Sequence, residues 1–487
     1  MNPLFWIDFY KSDHVSQYPP DTEQVWSNWT ARSSRVEGQN SVRWFGLQAA
    51  IKEILMREWQ RCFFLVPLDV VLREYRELIA AALGIPNPRT DHIEHLHRLG
   101  YLPLDIWALP EGTDVPIGVP MTVITNTCSR AYWLPNYLET VLSAHLWKPT
   151  TSATTAKRFR DLFVRHARAF GEKDLGFVDW QGHDFSYRGM SGNQDAIMSG
   201  MGHLLSFNGT DTVPAILAAH QYYGAPLGCG GSVPATEHSV MCAGGREGEF
   251  ETFKRLITQT YPTGIVSIVS DTWDLWRVLT DYVPRLKDII LAREGKVVIR
   301  PDSGDPVKVM AGDMDAPVGS PARKGALTLL AGAMGTDGQG HINKAGLIYG
   351  DGISYQRADA ILRACQAKGL SPFNVVFGIG SWTYEHTTRD EYNFAMKATA
   401  VRRSGRILDI FKKPVTADAT FSKASLRGIP AVYLGRTGQG VVTGKFYVEE
   451  TVDPTALDRC AFQKVFSNGR LLVEQSFDQI RERVRLQ

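Results

Sequence analysis

The middle of the chain alternates short β-branched runs with stretches long enough for a helix, and each run ends abruptly in polar or glycine residues. The clearest are Gly264-Ile-Val-Ser-Ile-Val-Ser-Asp271, Val297-Val-Ile-Arg-Pro-Asp302, Leu347-Ile-Tyr-Gly-Asp351 and Val375-Val-Phe-Gly-Ile-Gly380. Their ends lie roughly 30 to 50 residues apart, a βα period, and near-continuous apolar strands suit a parallel sheet covered on both faces. The pattern predicts an α/β barrel or a doubly wound sheet. In a barrel the residues just past each strand meet at one mouth. Here those tails are Ser-Asp, Arg-Pro-Asp-Ser-Gly, Gly-Asp-Gly and Gly-Ile-Gly-Ser.

Outside this core the pattern is weaker. Helical periodicity runs around Trp44 to Phe64 and Val70 to Gly84, whereas the tail past Phe394 holds strand formers and glycine turns such as Gly440-Val-Val-Thr-Gly-Lys-Phe-Tyr447. The stretch from Met310 to Lys344, rich in Gly, Ala, Asp and Pro, reads as a partly mobile insertion. Neither end looks complete by itself. Residues 1–150 and 395–487 are therefore expected to form one α+β lobe, and 151–394 the α/β barrel.

Composition narrows the function classes. A chain of 487 residues, 44% hydrophobic, can bury a large core. Its 53 basic and 51 acidic residues leave a formal charge of +2, which gives no general reason for a nucleic-acid or membrane-surface partner. The six cysteines are scattered without metal-site spacing and read as reduced thiols of a cytoplasmic protein. The patch from Met1 to Asp8 lacks the features of a signal peptide, and no segment has the apolar length of a membrane span.

The candidate chemistry is carboxylates, arginines and glycine-rich turns at a barrel mouth, which is what a phosphorylated sugar requires. Carboxylates hold magnesium through its waters, arginines pair phosphate oxygens bidentately, and glycine N–H groups approach phosphate closely. Each piece alone has a plainer reading. Arg300-Pro-Asp-Ser-Gly304 also fits a buried ion pair closing a strand, and Gly378-Ile-Gly-Ser381 a tight turn.

Read together and in order, the motifs resemble the nicotinate/nicotinamide phosphoribosyltransferase family over most of the chain. The resembling segments are Asp8-Phe-Tyr-Lys-Ser-Asp-His14 with Gln17-Tyr-Pro-Pro20, His183-Asp-Phe-Ser-Tyr-Arg-Gly189, Phe207-Asn-Gly-Thr-Asp-Thr-Val213 and Ser232-Val-Pro-Ala-Thr-Glu-His-Ser239. Ser267-Ile-Val-Ser-Asp271, Ile299-Arg-Pro-Asp-Ser-Gly304, Tyr349-Gly-Asp-Gly352 and Phe377-Gly-Ile-Gly380 follow.

The resemblance implies a two-lobed homodimer with an irregular (β/α) barrel of the type II phosphoribosyltransferase kind and shared active sites. It implies phosphoribosyl transfer from phosphoribosyl pyrophosphate to nicotinamide. It places the pyridine ring between Phe185 and Tyr10 of the partner subunit, a sandwich suited to a flat, electron-poor ring. Asp211 accepts the carboxamide N–H and repels a carboxylate. Arg188, Arg300, Asp271 and Asp302 share the work at the ribose and leaving pyrophosphate, with Mg2+ carried by the pyrophosphate. Asp8, Ser267, Gly350 and Asp351 join the substrate contacts.

By the same resemblance the 5′-phosphate meets backbone amides at Gly380 and Ser381, with Arg389 and Lys397 arriving from the second subunit. Arg32, Lys412 and Lys423 are candidates for pyrophosphate or ATP phosphates. His238 matches the histidine that ATP phosphorylates, with Glu237 or Asp271 orienting it. The match departs at Ile379-Gly380-Ser381-Trp382, where a run of glycines is usual, at Ala395, where a serine is usual, and in the reduced basic segment Lys423-Ala-Ser-Leu-Arg-Gly428.

Three other readings stand beside this one. A nicotinate phosphoribosyltransferase shares the barrel, but Asp211 opposes an acidic acceptor. A non-catalytic binding protein on the same scaffold would not need Asp211, His238, Asp271, Arg300 and Asp302 together. A sugar-phosphate barrel enzyme leaves the paired aromatic motifs unexplained.

Overall fold

The computed structural model describes residues 1–411, 426–435 and 445–487. The chain divides into two compact units, one of residues 1–154, 219–225 and 388–487, the other of 155–218 and 226–387.

The second unit is built on six parallel strands, in the spatial order Gly209–Thr210, Gly182–Asp184, Val375–Ile379, Ala345–Tyr349, Val297–Arg300, Val266–Val269. All four β-branched runs of the sequence are therefore strands of one sheet, with short Gly182–Asp184 and Gly209–Thr210 added at one side. The segment between Gly231 and Thr236 bridges the two sheet edges. Thr210 N–H donates to Gly231 O at 2.9 Å and Gly231 N–H to Asn208 O at 2.8 Å. At the far edge Thr236 N–H donates to Ser267 O at 3.0 Å and Ser267 N–H to Pro234 O at 2.9 Å. Backbone groups that would otherwise form open edges are thus paired, and the sheet curls into an irregular barrel.

Register sets which residues leave the barrel at one end. Gly378 pairs with His183 and His183 with Gly209, while Val269 pairs with Arg300. Phe185, Asp211, Asp271, Asp302, Gly350 and Gly380 therefore all follow the C-terminal ends of parallel strands. Ile268, Ile299, Leu347 and Phe377 are fully or almost fully buried, the apolar signal that marked these runs as strands.

The stretch from Met310 to Lys344, expected to be a partly mobile insertion, carries regular secondary structure. It holds the end of helix Pro306–Ala311, helix Pro321–Met334 and a bridge between Thr336 and Ile342. Asp305 and Ser320 cap the two helices by accepting backbone N–H groups, and a proline follows each cap. The preset φ of proline at the first helical position starts each helix, and Gly325, at φ 78° and ψ 160°, breaks Pro321–Met334 into two helical pieces across a kink.

The first unit carries a seven-stranded antiparallel sheet, in the order Arg406–Asp409, Phe394–Arg403, Thr22–Ala31, Pro120–Asn126, Leu104–Ala108, Gln463–Ser467, Arg470–Leu471. Strands from both ends of the sequence are neighbours in it. Trp29 stacks on Phe394 at 5.5 Å between centroids, and Trp26, Trp44 and Trp59 are buried beside them. Helix Leu68–Leu83 ends at left-handed Gly84, as its periodicity predicts. Among the described residues no helix is long and apolar enough to cross a membrane.

Candidate active site

The strand ends of the barrel surround a cavity of about 860 Å³ walled by Phe185, Arg188, Asp211, Arg300, Asp302, Gly350, Asp351, Gly380, Ser381 and Trp382, among others. Its size is in the range of small-molecule sites.

Phe185 leaves its strand with its N–H bonded to Ile379 O at 3.0 Å. Its ring lies over two glycines. A Cβ on Gly378 would come within 2.3 Å of Phe185 Cδ2, and one on Gly350 within 3.0 Å of Phe185 Cε2. Gly378, which sequence reads as a tight-turn or phosphate-loop residue, and Gly350, expected among the substrate contacts, give the aromatic ring its space. Gly189 plays the same part for Ser381, whose Oγ would lie 2.1 Å from an added Cβ.

Asp211 Oδ1 accepts from His183 Nε2 at 3.0 Å and from Ser232 Oγ at 2.6 Å. Among the described residues Oδ2 accepts no hydrogen bond. Burial by itself would raise the Asp211 carboxyl, but the His183 and Ser232 hydrogen bonds and the nearby Arg300 charge outweigh it and hold the group below its ordinary value. Asp211 is therefore a carboxylate with one oxygen tied and one open.

Arg300 ends its strand beside Asp302, and its Nε is buried without a hydrogen-bond partner among the described residues. Asp302 N–H donates to Asp271 Oδ2 at 2.8 Å, while Asp271 Oδ1 is buried with no hydrogen-bond partner among the described residues. His238 Nε2 faces both carboxylates, 4.0 Å from Asp271 Oδ1 and 3.8 Å from Asp302 Oδ2. Its Nδ1 lies 3.0 Å from Thr272 Oγ1. Burial, with the carboxylates Asp351, Asp271, Asp302 and Asp305, drives the Tyr349 hydroxyl far above its usual range, so this end of the barrel carries concentrated negative charge. The same hydroxyl donates to Gly304 O at 2.9 Å.

Gly380 precedes the short helix Ser381–Tyr384, whose first amides have no intrahelical partner. Ser381 and Trp382 wall the cavity at that point, and Trp382, 60% exposed, packs against His386 at 4.9 Å.

The structure thus brings Phe185, Arg188, Asp211, Arg300, Asp302, Gly350, Asp351, Gly380 and Ser381 to one cavity. His238 and Asp271 adjoin Asp302. Ser267 does not wall the cavity, because it lies within its strand, with its hydroxyl buried and unpartnered. Among the described residues Glu237 makes no hydrogen bond to the His238 ring, its carboxylate accepting from Ser239 instead, and Asp271 stands at 4.0 Å. Thr272 makes the hydrogen bond that had been expected of either. Thr272, His183 and Ser232 were missed as functional residues. One signal was present for His183: it is two residues before Phe185, and alternate residues of a strand share a face.

In the first unit, Asp8 Oδ2 accepts from Thr140 Oγ1 at 2.7 Å, and Tyr10, 59% exposed, packs its ring against His14 at 5.3 Å. Arg32 NH2 donates to Asn393 Oδ1 at 2.7 Å, Arg389 pairs with Asp390 at 3.0 Å, and Lys397 Nζ lies 4.0 Å from Glu139 Oε1. Burial lowers the Lys397 ammonium below its ordinary value; Glu139 opposes this, and Arg32, Lys11 and Arg389 reinforce it. These cations therefore form one cluster. Lys412 and Lys423 lie outside the described residues.

A family model described as the Nicotinate phosphoribosyltransferase (NAPRTase) family matches residues 180–464. A protein of Acinetobacter baylyi named nicotinamide phosphoribosyltransferase is 46% identical over 99% of this chain and 97% of its own length. One of the same name from Xanthomonas campestris pv. campestris is 33% identical over the same shares. Among solved structures, the nicotinate-nucleotide pyrophosphorylase from Pyrococcus furiosus superposes with a TM-score of 0.59 at 15% identity, covering 99% of this chain and 94% of that one. Human nicotinic acid phosphoribosyltransferase gives 0.57 at 15%, covering 98% and 93%. These two likenesses show the fold.

Proposed function

The chain belongs to the nicotinate phosphoribosyltransferase (NAPRTase) family, and on that footing we propose that it joins nicotinamide to the ribose of phosphoribosyl pyrophosphate, giving nicotinamide mononucleotide and pyrophosphate in NAD salvage. The observation that carries this reading is Asp211, an ionised side chain on the cavity wall with Oδ2 open. A carboxamide N–H donates to that oxygen, whereas the carboxylate of nicotinate is repelled by it. The names of the full-length relatives support the same acceptor.

In this reading the pyridine ring lies on Phe185, and the second aromatic wall is Tyr10 of the partner subunit. The pyridine nitrogen forms a bond to ribose C1 as the bond to pyrophosphate breaks, the leaving oxygen keeping the electron pair. Asp302 holds the ribose hydroxyls, and Asp271 fixes Asp302 through its backbone N–H. The cationic ribose is tolerated by these carboxylates, while Arg188 and Arg300 offset the charge of the phosphates. The amides at Ser381 and Trp382, which have no intrahelical partner, receive the 5′-phosphate, joined by the Arg32, Arg389 and Lys397 cluster of the other copy in a homodimer.

Asp271 Oδ1, buried and unpartnered beside Asp302, fits a hydrated magnesium ion. Among the described residues no three His, Cys, Asp or Glu side chains converge as a direct cage, so the two aspartates would hold the ion through its waters and through pyrophosphate. When bound it supplies positive charge against the leaving group. His238 takes the γ-phosphate of ATP, ADP leaving with the electron pair of the broken bond, and water then hydrolyses the phosphohistidine, which couples ATP hydrolysis to synthesis. If Nδ1 carries its proton towards Thr272 Oγ1, the Nε2 lone pair is the nucleophile.

The test is to incubate the protein with magnesium, phosphoribosyl pyrophosphate and equimolar nicotinamide and nicotinate, with and without ATP, and to identify the mononucleotides by mass. Nicotinamide mononucleotide, increased by ATP, is the expected product. Nicotinate mononucleotide would select the sister activity, and no product a binding role.

A further inference from the structure

Both hydrogen bonds to Asp211 fall on the same oxygen. The two donors differ in kind. Ser232 has one hydroxyl proton and two acceptors within reach, Asp211 Oδ1 at 2.6 Å and Val233 O at 3.4 Å, and its C–O bond rotates freely. His183 is 7% exposed, sits inside strand Gly182–Asp184 and packs against the Phe185 ring at 4.9 Å and 62°. The neighbouring strand leaves room for its imidazole only at a glycine, since a Cβ on Gly209 would lie 2.7 Å from His183 Nδ1. The imidazole is therefore a fixed donor, and it aims Nε2–H at one carboxylate oxygen.

We propose that His183 is a positioning residue that sets the preference for a carboxamide over a carboxylate on the acceptor ring, by pinning Asp211 Oδ1 so that Oδ2 is the open acceptor at the cavity wall. This rests on the nicotinamide reading above and adds to it a residue that need not touch the substrate. Without the His183 bond, Asp211 loses the orientation in which Oδ2 meets an amide N–H. It also loses stabilisation of its charged form, and a protonated Asp211 donates to a carboxylate rather than repelling it.

The measurement is kcat/KM for nicotinamide and for nicotinate in the wild-type protein, His183→Ala, His183→Gln, Asp211→Asn and the double variant His183→Ala/Asp211→Asn. Glutamine places an N–H donor close to the position of imidazole Nε2. Replacement by alanine is expected to lower the nicotinamide-to-nicotinate ratio about tenfold, the scale of a hydrogen bond to a charged group. Glutamine should restore most of the ratio, and alanine should have no further effect on it once Asp211 is asparagine.

A general packing defect scales both substrates alike. An unchanged ratio in His183→Ala, no rescue by glutamine, or an equal shift in the Asp211→Asn background would each overturn the assignment. A wild-type protein that makes no nicotinamide mononucleotide sinks the activity reading itself; one that makes it with a ratio indifferent to position 183 sinks only the role of His183.

Discussion

Asp302 N–H donates to Asp271 Oδ2 at 2.8 Å, so the residues following two adjacent parallel strands are locked to each other by one backbone-to-carboxylate hydrogen bond. The lock leaves Asp271 Oδ1 buried and unpartnered and brings both carboxylates to within about 4 Å of His238 Nε2. A site built this way separates the geometric role of Asp271 from its charge.

Asp271→Asn keeps an oxygen that accepts the Asp302 N–H but removes the charge. We expect kcat/KM for phosphoribosyl pyrophosphate to fall roughly a hundredfold, the scale of losing one electrostatic contact to a transition state. Thermal stability should move little. Steady-state kinetics beside a melting curve checks this, and a large drop in Tm with kinetics intact would make Asp271 a structural brace only.

Gly378→Ala places a Cβ 2.3 Å from Phe185 Cδ2 and 2.7 Å from Gly350 Cα. Neither backbone nor ring yields without displacement, and overpacking of this kind costs about 1–3 kcal/mol. The expected signature is reduced stability in urea together with a raised KM for nicotinamide, because the displaced ring is the proposed stacking face. Gly346→Ala, whose Cβ would have only an ordinary 3.6 Å contact with Asn374 O, is the control.

The Asp211 carboxyl is held below its ordinary value, so its charge persists as pH falls into the usual carboxylate range near about 4 and is lost only below it. A depressed carboxyl also stabilises the fold above its unfolded value, a contribution that disappears as pH falls through the folded one. Ser232→Ala removes one of the donors responsible. In that variant nicotinamide binding, followed by calorimetry from pH 7 downward, should begin to weaken at a higher pH than in the wild type. Coincident profiles would show that Ser232 does not hold the charge.

Thr272 is the direct partner of His238 Nδ1. With labelled ATP, acid-labile phosphate should appear on the wild-type protein, be absent from His238→Ala and form about tenfold more slowly on Thr272→Val, the scale of one lost hydrogen bond. Some uncoupled synthesis should survive in His238→Ala. Phosphate retained by His238→Ala would move the site elsewhere.

Legibility of the fold followed the chemistry of each element. The four β-branched runs could be read because strands covered on both faces must be apolar along their whole length, and Ile268, Ile299, Leu347 and Phe377 are buried accordingly. The Met310–Lys344 stretch reads as a partly mobile insertion from its Gly, Ala, Asp and Pro content, yet Ser320-Pro321 announces a helix start inside it, as Asp305-Pro306 does just before it. Gly378 reads as a tight-turn or phosphate-loop glycine and Gly350 as a substrate contact, since the Phe185 ring that needs their space is more than 150 residues away in sequence.

The sequence by itself determined which chemical groups stand at the ends of the strands, and in what order: Asp271, Arg300, Asp302, Gly350 and Gly380 follow apolar runs that have few alternatives to a parallel sheet. Its motifs also carried the resemblance to the family. Only the tertiary structure decided who bonds to whom. His183 meets Asp211, Thr272 meets His238, and Asp271 meets the Asp302 backbone because neighbouring strands bring those atoms to about 3 Å in a definite register. Apolar burial selects strands from local composition, whereas a hydrogen bond depends on distance and direction between groups that the chain leaves far apart until the sheet has closed.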